Sequence, residues 1–177
     1  MRKIKMIEMF GFSRGGGEFY IDGEVGFACI SNSPLKLPEM ETLGKKNAKS
    51  YCASQLPEKR PDDIAVFWLP ACSALAIIIL RGGHSLFCFQ EETDNYVKIR
   101  GEFAGNIKLK PGDRLCLLSG KVVSLFGSEH EISTFIEGLR VFGAGTCAEM
   151  IVEAAQNREC YLNRPPGKKV AVVVDIH

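Results

Sequence analysis

A chain of 177 residues with 46% hydrophobic content and a formal charge of +1 has the size and composition of one globular domain with a sizeable core, spanning residues 1–177. Its near-neutral balance excludes the electrostatic footprint of a protein that coats nucleic acid or anionic lipid, so neither is expected as a partner. The longest apolar run, 66–80, is too short to cross a bilayer and contains Pro70 and Ser73. Lys5 and Glu8 interrupt what a secretory signal would need as an apolar stretch, and the expected location is the cytoplasm.

Runs of β-branched and aromatic residues bounded by Gly, Pro and Asp predict strands near 3–10, 17–21, 24–31, 63–71, 74–81, 84–90, 95–100, 104–109 and 113–124. Asp22 before Gly23 reads as a hairpin turn residue. Pro38 stands at the first turn of a predicted helix over 38–55, followed by the polar connection "LPEKRPDD". A second helix is predicted over 129–140, where Ile132, Phe135, Ile136 and Leu139 follow the spacing of a buried stripe. Ser128 is its expected N-cap, and Glu129 and Glu131 suit its positive first turn. A third helix over 146–157, capped by Thr146, faces Met150, Ile151 and Ala154 inward. An unstructured bend follows, and then "VAVVVDI", apolar on both faces as a central strand should be.

This order does not alternate as βαβ units would. It predicts an α+β fold, a four-layer α/β/β/α sandwich of two antiparallel sheets flanked by helices. The seven cysteines (29, 52, 72, 88, 116, 147 and 160) are odd in number, widely spaced and without a CxxC pair, which reads as buried free thiols. His84 reads as a turn imidazole, and His130 and His177 have no companion at ligand spacing. "GFSRGGGE" lacks the lysine and hydroxyl of a P-loop, "GGGEFY" lacks the third glycine of a dinucleotide fingerprint, and there is no HExxH motif.

The segment "LKPGDRLCLLSGKVVSLFG" (109–127) resembles the L-x-P-G-D-x-L-x-L-x-T-D-G-V stretch of the PPM class of metal-dependent serine/threonine phosphatases. "ALAIIILRGGHSLFCF" (74–89) is similar to that family's strand-A-G-H-strand hairpin, "GGGEFY" (15–20) to its G-G-D-x-x-D opening, and "KKVAVVV" (168–174) to its closing D-D-[IV]-T strand. In order and spacing the chain is most similar to the compact bacterial SpoIIE-like branch, with 36–63 shorter than usual. The resemblance implies a metal-dependent phosphatase fold, in which Mg²⁺ or Mn²⁺ ions sit on aspartates between the sheets and activate a bridging water.

Carried over residue by residue, the resemblance places the opening aspartate on Glu18 and the bridging aspartate on Ser31 or Asn32. The T-D-G aspartate falls on Gly120, followed by Lys121, and the closing pair on Lys168 and Lys169. One carboxylate survives. An ammonium about 4 Å from a divalent ion repels it by roughly 8 kcal/mol at an effective dielectric of about 20, and screening and side-chain flexibility reduce that severalfold without making lysine a ligand. No cofactor, no metal and no catalytic residue are therefore expected, and Glu18, Ser31, Asn32, Gly120, Lys168 and Lys169 outline a degenerate former metal site.

Three uses follow for such a scaffold. The first is a catalytically impaired regulatory domain that binds protein partners in bacterial phospho-signalling. For this branch the resemblance implies phosphorylated anti-sigma antagonist or stressosome-type proteins. The second is an anion sensor, with Lys121, Lys168 and Lys169 converging on phosphate. The third is an active Mg- or Mn-dependent phosphatase with the unusual ligands Glu18, Asp22 and Asp175. For the lysines, the alternative is that Lys168 and Lys169 point into solvent and Lys121 fills a turn.

Overall fold

The computed structural model describes residues 4, 6–24, 26–31, 64–69 and 74–177. The described residues form ten strands: β1 (Ile7–Arg14), β2 (Glu18–Asp22), β3 (Phe27–Ser31), β4 (Ile64–Trp68), β5 (Leu75–Leu80), β6 (Ser85–Gln90), β7 (Asn95–Arg100), β8 (Phe103–Lys108), β9 (Arg114–Leu118) and β10 (Lys169–Ile176). Between β9 and β10 lie α1 (Gly120–Leu125), α2 (Glu129–Gly138) and α3 (Ala144–Tyr161). The strands form two five-stranded sheets, ordered β1-β10-β9-β6-β7 and β2-β3-β4-β5-β8, in which every pairing is antiparallel. The expected α+β sandwich of two antiparallel sheets with helices is thus the observed architecture.

β10 shows why the layers stack as they do. All eight of its residues are buried. Val170, Val172, Val174 and Ile176 pack between the sheets with Ala28, Ile30, Phe67 and Ile78 of the second sheet. Ala171 and Val173 face the opposite way, into a cluster with Ile132, Ile136, Cys147, Ala148 and Ile151 of α2 and α3. A strand covered on both sides has no polar face to present, so its period-two pattern is lost and it reads as continuous valine. The far face of the second sheet carries a third apolar cluster, Phe27, Cys29, Val66 and Ile79.

The helices follow the same logic. Ser128 accepts a hydrogen bond from the Glu131 amide at 3.1 Å, and the Glu131 carboxylate accepts from the Gly127 amide at 2.8 Å, which fixes the start of α2 as expected. Along α3 the buried positions Ala144, Ala148, Ile151, Ala155 and Glu159 form one stripe. Small residues bring the helix close to the sheet, and the stripe ends on a carboxylate.

Several boundaries differ from expectation. The strand expected over 113–124 ends at Leu118, because Val122, Val123, Leu125 and Phe126 bury one side of a helix that starts at Gly120. The third helix starts on Gly143, not Thr146, and runs to Tyr161, four residues into the bend expected after Asn157. β1 lies later than 3–10 and extends through Gly11, whose missing side chain admits the Phe19 ring. Cys160 is exposed, whereas Cys29, Cys88, Cys116 and Cys147 are buried and in no disulfide, and burial pushes the Cys88 thiol up to about 12. The helix expected over 38–55, the connection after it, Cys52 and Cys72 lie outside the described residues.

Phe67 is fully buried between the sheets, while Val141 is 86% exposed. Phe67→Ala is expected to cost about 3–5 kcal/mol and Val141→Ala less than about 0.5 kcal/mol, measured by urea denaturation.

Candidate functional site

Of the residues singled out by the family resemblance, Glu18, Ser31, Gly120, Lys121, Lys168 and Lys169 gather at one end of the sandwich, where glycine turns meet. Glu18, at the start of β2, is exposed and lies directly across from Ser31 of β3 in the ladder. The turn before it is built on Gly15 and Gly16, both at positive φ. A Cβ on Gly15 would collide with the Gly167 carbonyl, so the turn lies directly on the segment leading into β10.

Gly120 approaches a second glycine pair. A Cβ there would lie 3.2 Å from the carbonyl carbon and oxygen of Gly83 and 3.3 Å from the Gly82 oxygen. The start of α1 is therefore packed against the 82–83 turn, and His84 behind that turn is fully buried. Ser119 ties the two segments to β10: its hydroxyl accepts from the Val170 amide at 3.0 Å, and its amide donates to the Val170 carbonyl at 3.0 Å.

Lys169 is buried, 1% exposed, on the side of β10 that faces α3. Its ammonium donates to Glu159 Oε2 at 2.6 Å and to the Gly167 carbonyl at 2.8 Å. Lys121 approaches the other oxygen of the same carboxylate, Oε1, at 3.0 Å and donates to the Pro165 carbonyl at 2.8 Å. Two of the three lysines thus converge, but on an internal carboxylate. Lys168 lies just before β10 and is exposed. Burial pushes the Glu159 carboxyl up, but hydrogen bonds from Lys169 and then Lys121 more than reverse this, holding it below the usual carboxylate range.

The other proposed ligands are dispersed. Asp22 closes the β2–β3 hairpin, its carboxylate accepting from the Glu24 amide at 3.1 Å, at the opposite end of β2 from Glu18. Asp175 sits near the far end of β10, held by Arg114 through two hydrogen bonds at 2.5 and 2.6 Å. In register it faces Glu8 of β1, whereas Lys169 faces Arg14, so six residue steps, about 20 Å, separate Asp175 from the glycine turns. Glu18, Asp22 and Asp175 do not come together as one ligand set. Asn32 lies outside the described residues.

A pair of Mg²⁺ or Mn²⁺ ions, which the fold family implies, needs several carboxylate oxygens around a shared centre. Among the described residues, this end offers the exposed Glu18, the side-chain-free Gly120 with no slack toward Gly83, two lysines where the resemblance would set aspartates, and a Glu159 occupied by ammonium groups. That donor set does not fit a divalent ion.

Glu159 escaped the sequence reading although its position, four residues after the buried Ala155, continues the inward stripe of α3. Lys169 carries the same signal, since it shares a face with Ala171 and Val173. His177 and Glu8, 3.4 Å apart, left no signal because 169 positions separate them.

No protein-family model matches the sequence, and no curated protein sequence matches it. Solved structures do. PppA, a regulatory component of the T6SS in Pseudomonas aeruginosa, aligns with 11% identity and a TM-score of 0.68, covering 99% of this chain and all of that one. The PP2C phosphatase domain of Bacillus subtilis SpoIIE, with a fragment of its regulatory domain, gives 14% identity and a TM-score of 0.71 over 99% of this chain and 65% of that one. The catalytic domain of the serine/threonine phosphatase PstP in complex with two manganese ions gives 11% identity and 0.69 over 97% and 98%. The chain has the PPM-type phosphatase fold, and its structural neighbours include the SpoIIE phosphatase domain.

The Glu159 contacts make a definite demand on stability. Glu159→Leu leaves Lys169 buried and unpaired and is expected to cost about 3 kcal/mol, while Lys169→Met added to it restores most of the loss. Because the folded-state carboxyl titrates below its ordinary value of 4.5, the stabilisation is complete above that value and disappears as pH falls through the lower one. Urea midpoints measured between neutral pH and pH 3 should therefore drop in the native sequence and drop less in the Glu159→Leu, Lys169→Met double variant.

Proposed function

We propose that this chain is a phosphatase-shaped regulatory domain, without a catalytic divalent-metal centre, that acts in the cytoplasm of a bacterium by binding protein partners in phospho-signalling. One observation carries this reading. At the end of the sandwich where the family resemblance would set aspartates, Gly120 is packed on the 82–83 turn and Lys169 is locked by an internal carboxylate. Chemistry that depends on a metal-activated water has no donor set there among the described residues.

The fold supplies the rest of the support. Surfaces that dock a phosphoprotein are separate from the groups that hydrolyse its ester, so losing the second leaves the first able to compete for or sequester a regulator. Two of the similar structures belong to proteins described as a key regulatory component and as a cell-fate determinant. The partner class follows from the resemblance: small phosphorylated anti-sigma antagonist or stressosome-type proteins.

The test pairs hydrolysis with binding. With saturating Mn²⁺, p-nitrophenyl phosphate turnover should stay at the buffer level, while calorimetry with a phosphoserine-bearing anti-sigma antagonist should show binding without release of phosphate. Manganese-dependent turnover that disappears in Glu18→Gln protein would overturn the proposal.

A further inference from the structure

β1 is an edge of the first sheet: β10 pairs with it along its whole length, and no other strand among the described residues does. The Met6 amide donates to the His177 carbonyl at 3.3 Å, and the His177 amide donates to the Met6 carbonyl at 2.9 Å. The alternation of an antiparallel ladder then turns the N–H and C=O groups of Glu8, Phe10, Phe12 and Arg14 toward β10, and those of Ile7, Met9, Gly11 and Ser13 outward. Among the described residues, no backbone group takes up that outer row. None of the eight residues of β1 is fully buried, in contrast with β10. An edge of this length, without proline and with Phe10 45% exposed, is a template for another strand.

We propose that β1 pairs antiparallel with β1 of a second copy of this chain, about a two-fold axis at Gly11, joining the two first sheets into one. The charges of β1 select this register. Glu8 and Arg14 stand three residues either side of Gly11, on the face toward the helices, where Arg14 meets Glu153 of α3. Two-fold pairing at Gly11 sets Glu8 of each copy opposite Arg14 of the other, and Phe10 opposite Phe12. Met9, Gly11 and Ser13 then exchange their outward backbone bonds, and Glu8 meets Arg14 at a non-hydrogen-bonded pair, where opposed side chains stand closest. Within its own chain Glu8 contacts His177 through Oε2 and Arg14 contacts Glu153 through Nε, and side-chain exposures of 42% and 54% leave their remaining polar atoms accessible to a second copy.

The other edges lack this self-complementarity. β2 carries Glu18 and Asp22 two residues either side of Tyr20, so self-pairing there would oppose acid to acid. β7 and β8 carry only basic charge, Lys98 with Arg100 and Lys108. Like charges across a ladder oppose pairing, and lysine on an edge discourages it, so the assembly closes at two copies.

This pairing goes beyond the regulatory reading and does not rest on it. Its test is the oligomeric state of the whole chain by sedimentation equilibrium. At high micromolar concentration the native protein should sediment at twice the 19.5 kDa of one chain. Glu8→Arg and Arg14→Glu each set like charges opposite one another and should weaken association by about tenfold or more. An equimolar mixture of the two single variants restores both opposite-charge pairs and should recover a dimer with one chain of each. Glu8 and Arg14 of one chain are six residue steps, about 20 Å, apart, so that recovery cannot come from a contact within a chain. A native chain that stays at 19.5 kDa up to millimolar concentration overturns the proposal. So does association that the single variants leave at native strength, or that their mixture fails to recover.

Discussion

The carboxylate of Glu159 is the contact on which the end of the sandwich depends. It lies on α3, takes an ammonium from β10 on one oxygen and from α1 on the other, and through those lysines fixes the Pro165 and Gly167 carbonyls. A buried charge with its partner removed costs several kcal/mol, so this carboxylate and Lys169 are obligate to one another. The contact joins a helix, the central strand and the segment that leads into it. Gly15 and the glycine turn before β2 rest on that same segment.

The consequence for chemistry is one of position. A PPM-type sandwich converges loops at one end, and what those loops carry decides whether a cation or a cluster of paired side chains occupies it. Here the loops carry glycine in close backbone contact and lysines, two of which are neutralised from inside the protein. Internal pairing also bears on anion recognition. Lys121 and Lys169 are committed to Glu159, which leaves Lys168 as the exposed member of the three. A phosphate approaching this end meets less positive charge than the sequence suggests.

Much of the architecture was legible in the chain. The valine run of β10, the stripe Ile132, Ile136 in α2 and the turn glycines fixed the two-sheet arrangement, because burial on both faces, helical spacing and positive φ each leave a local mark. Element ends were less legible where long-range contacts set them: α3 reaches Tyr161 with Glu159 facing inward to Lys169, and β9 stops at Leu118 because the next apolar residues turn onto the helical layer. The site was half legible. Lysines in place of acids could be read directly, but their shared partner could not, since Glu159 precedes Lys169 by ten residues and follows Lys121 by 38. Glu8 and His177 lie still further apart and meet only through the β1–β10 register.

The central claim, that paired side chains and backbone contacts stand where this fold can hold divalent ions, is tested most directly by anomalous scattering from crystals soaked in manganese. The account predicts no anomalous peak between Glu18, Ser31 and Gly120, with Lys169 still bonded to Glu159. A strong peak there, ligated by Glu18 and further oxygens of this chain, would contradict it.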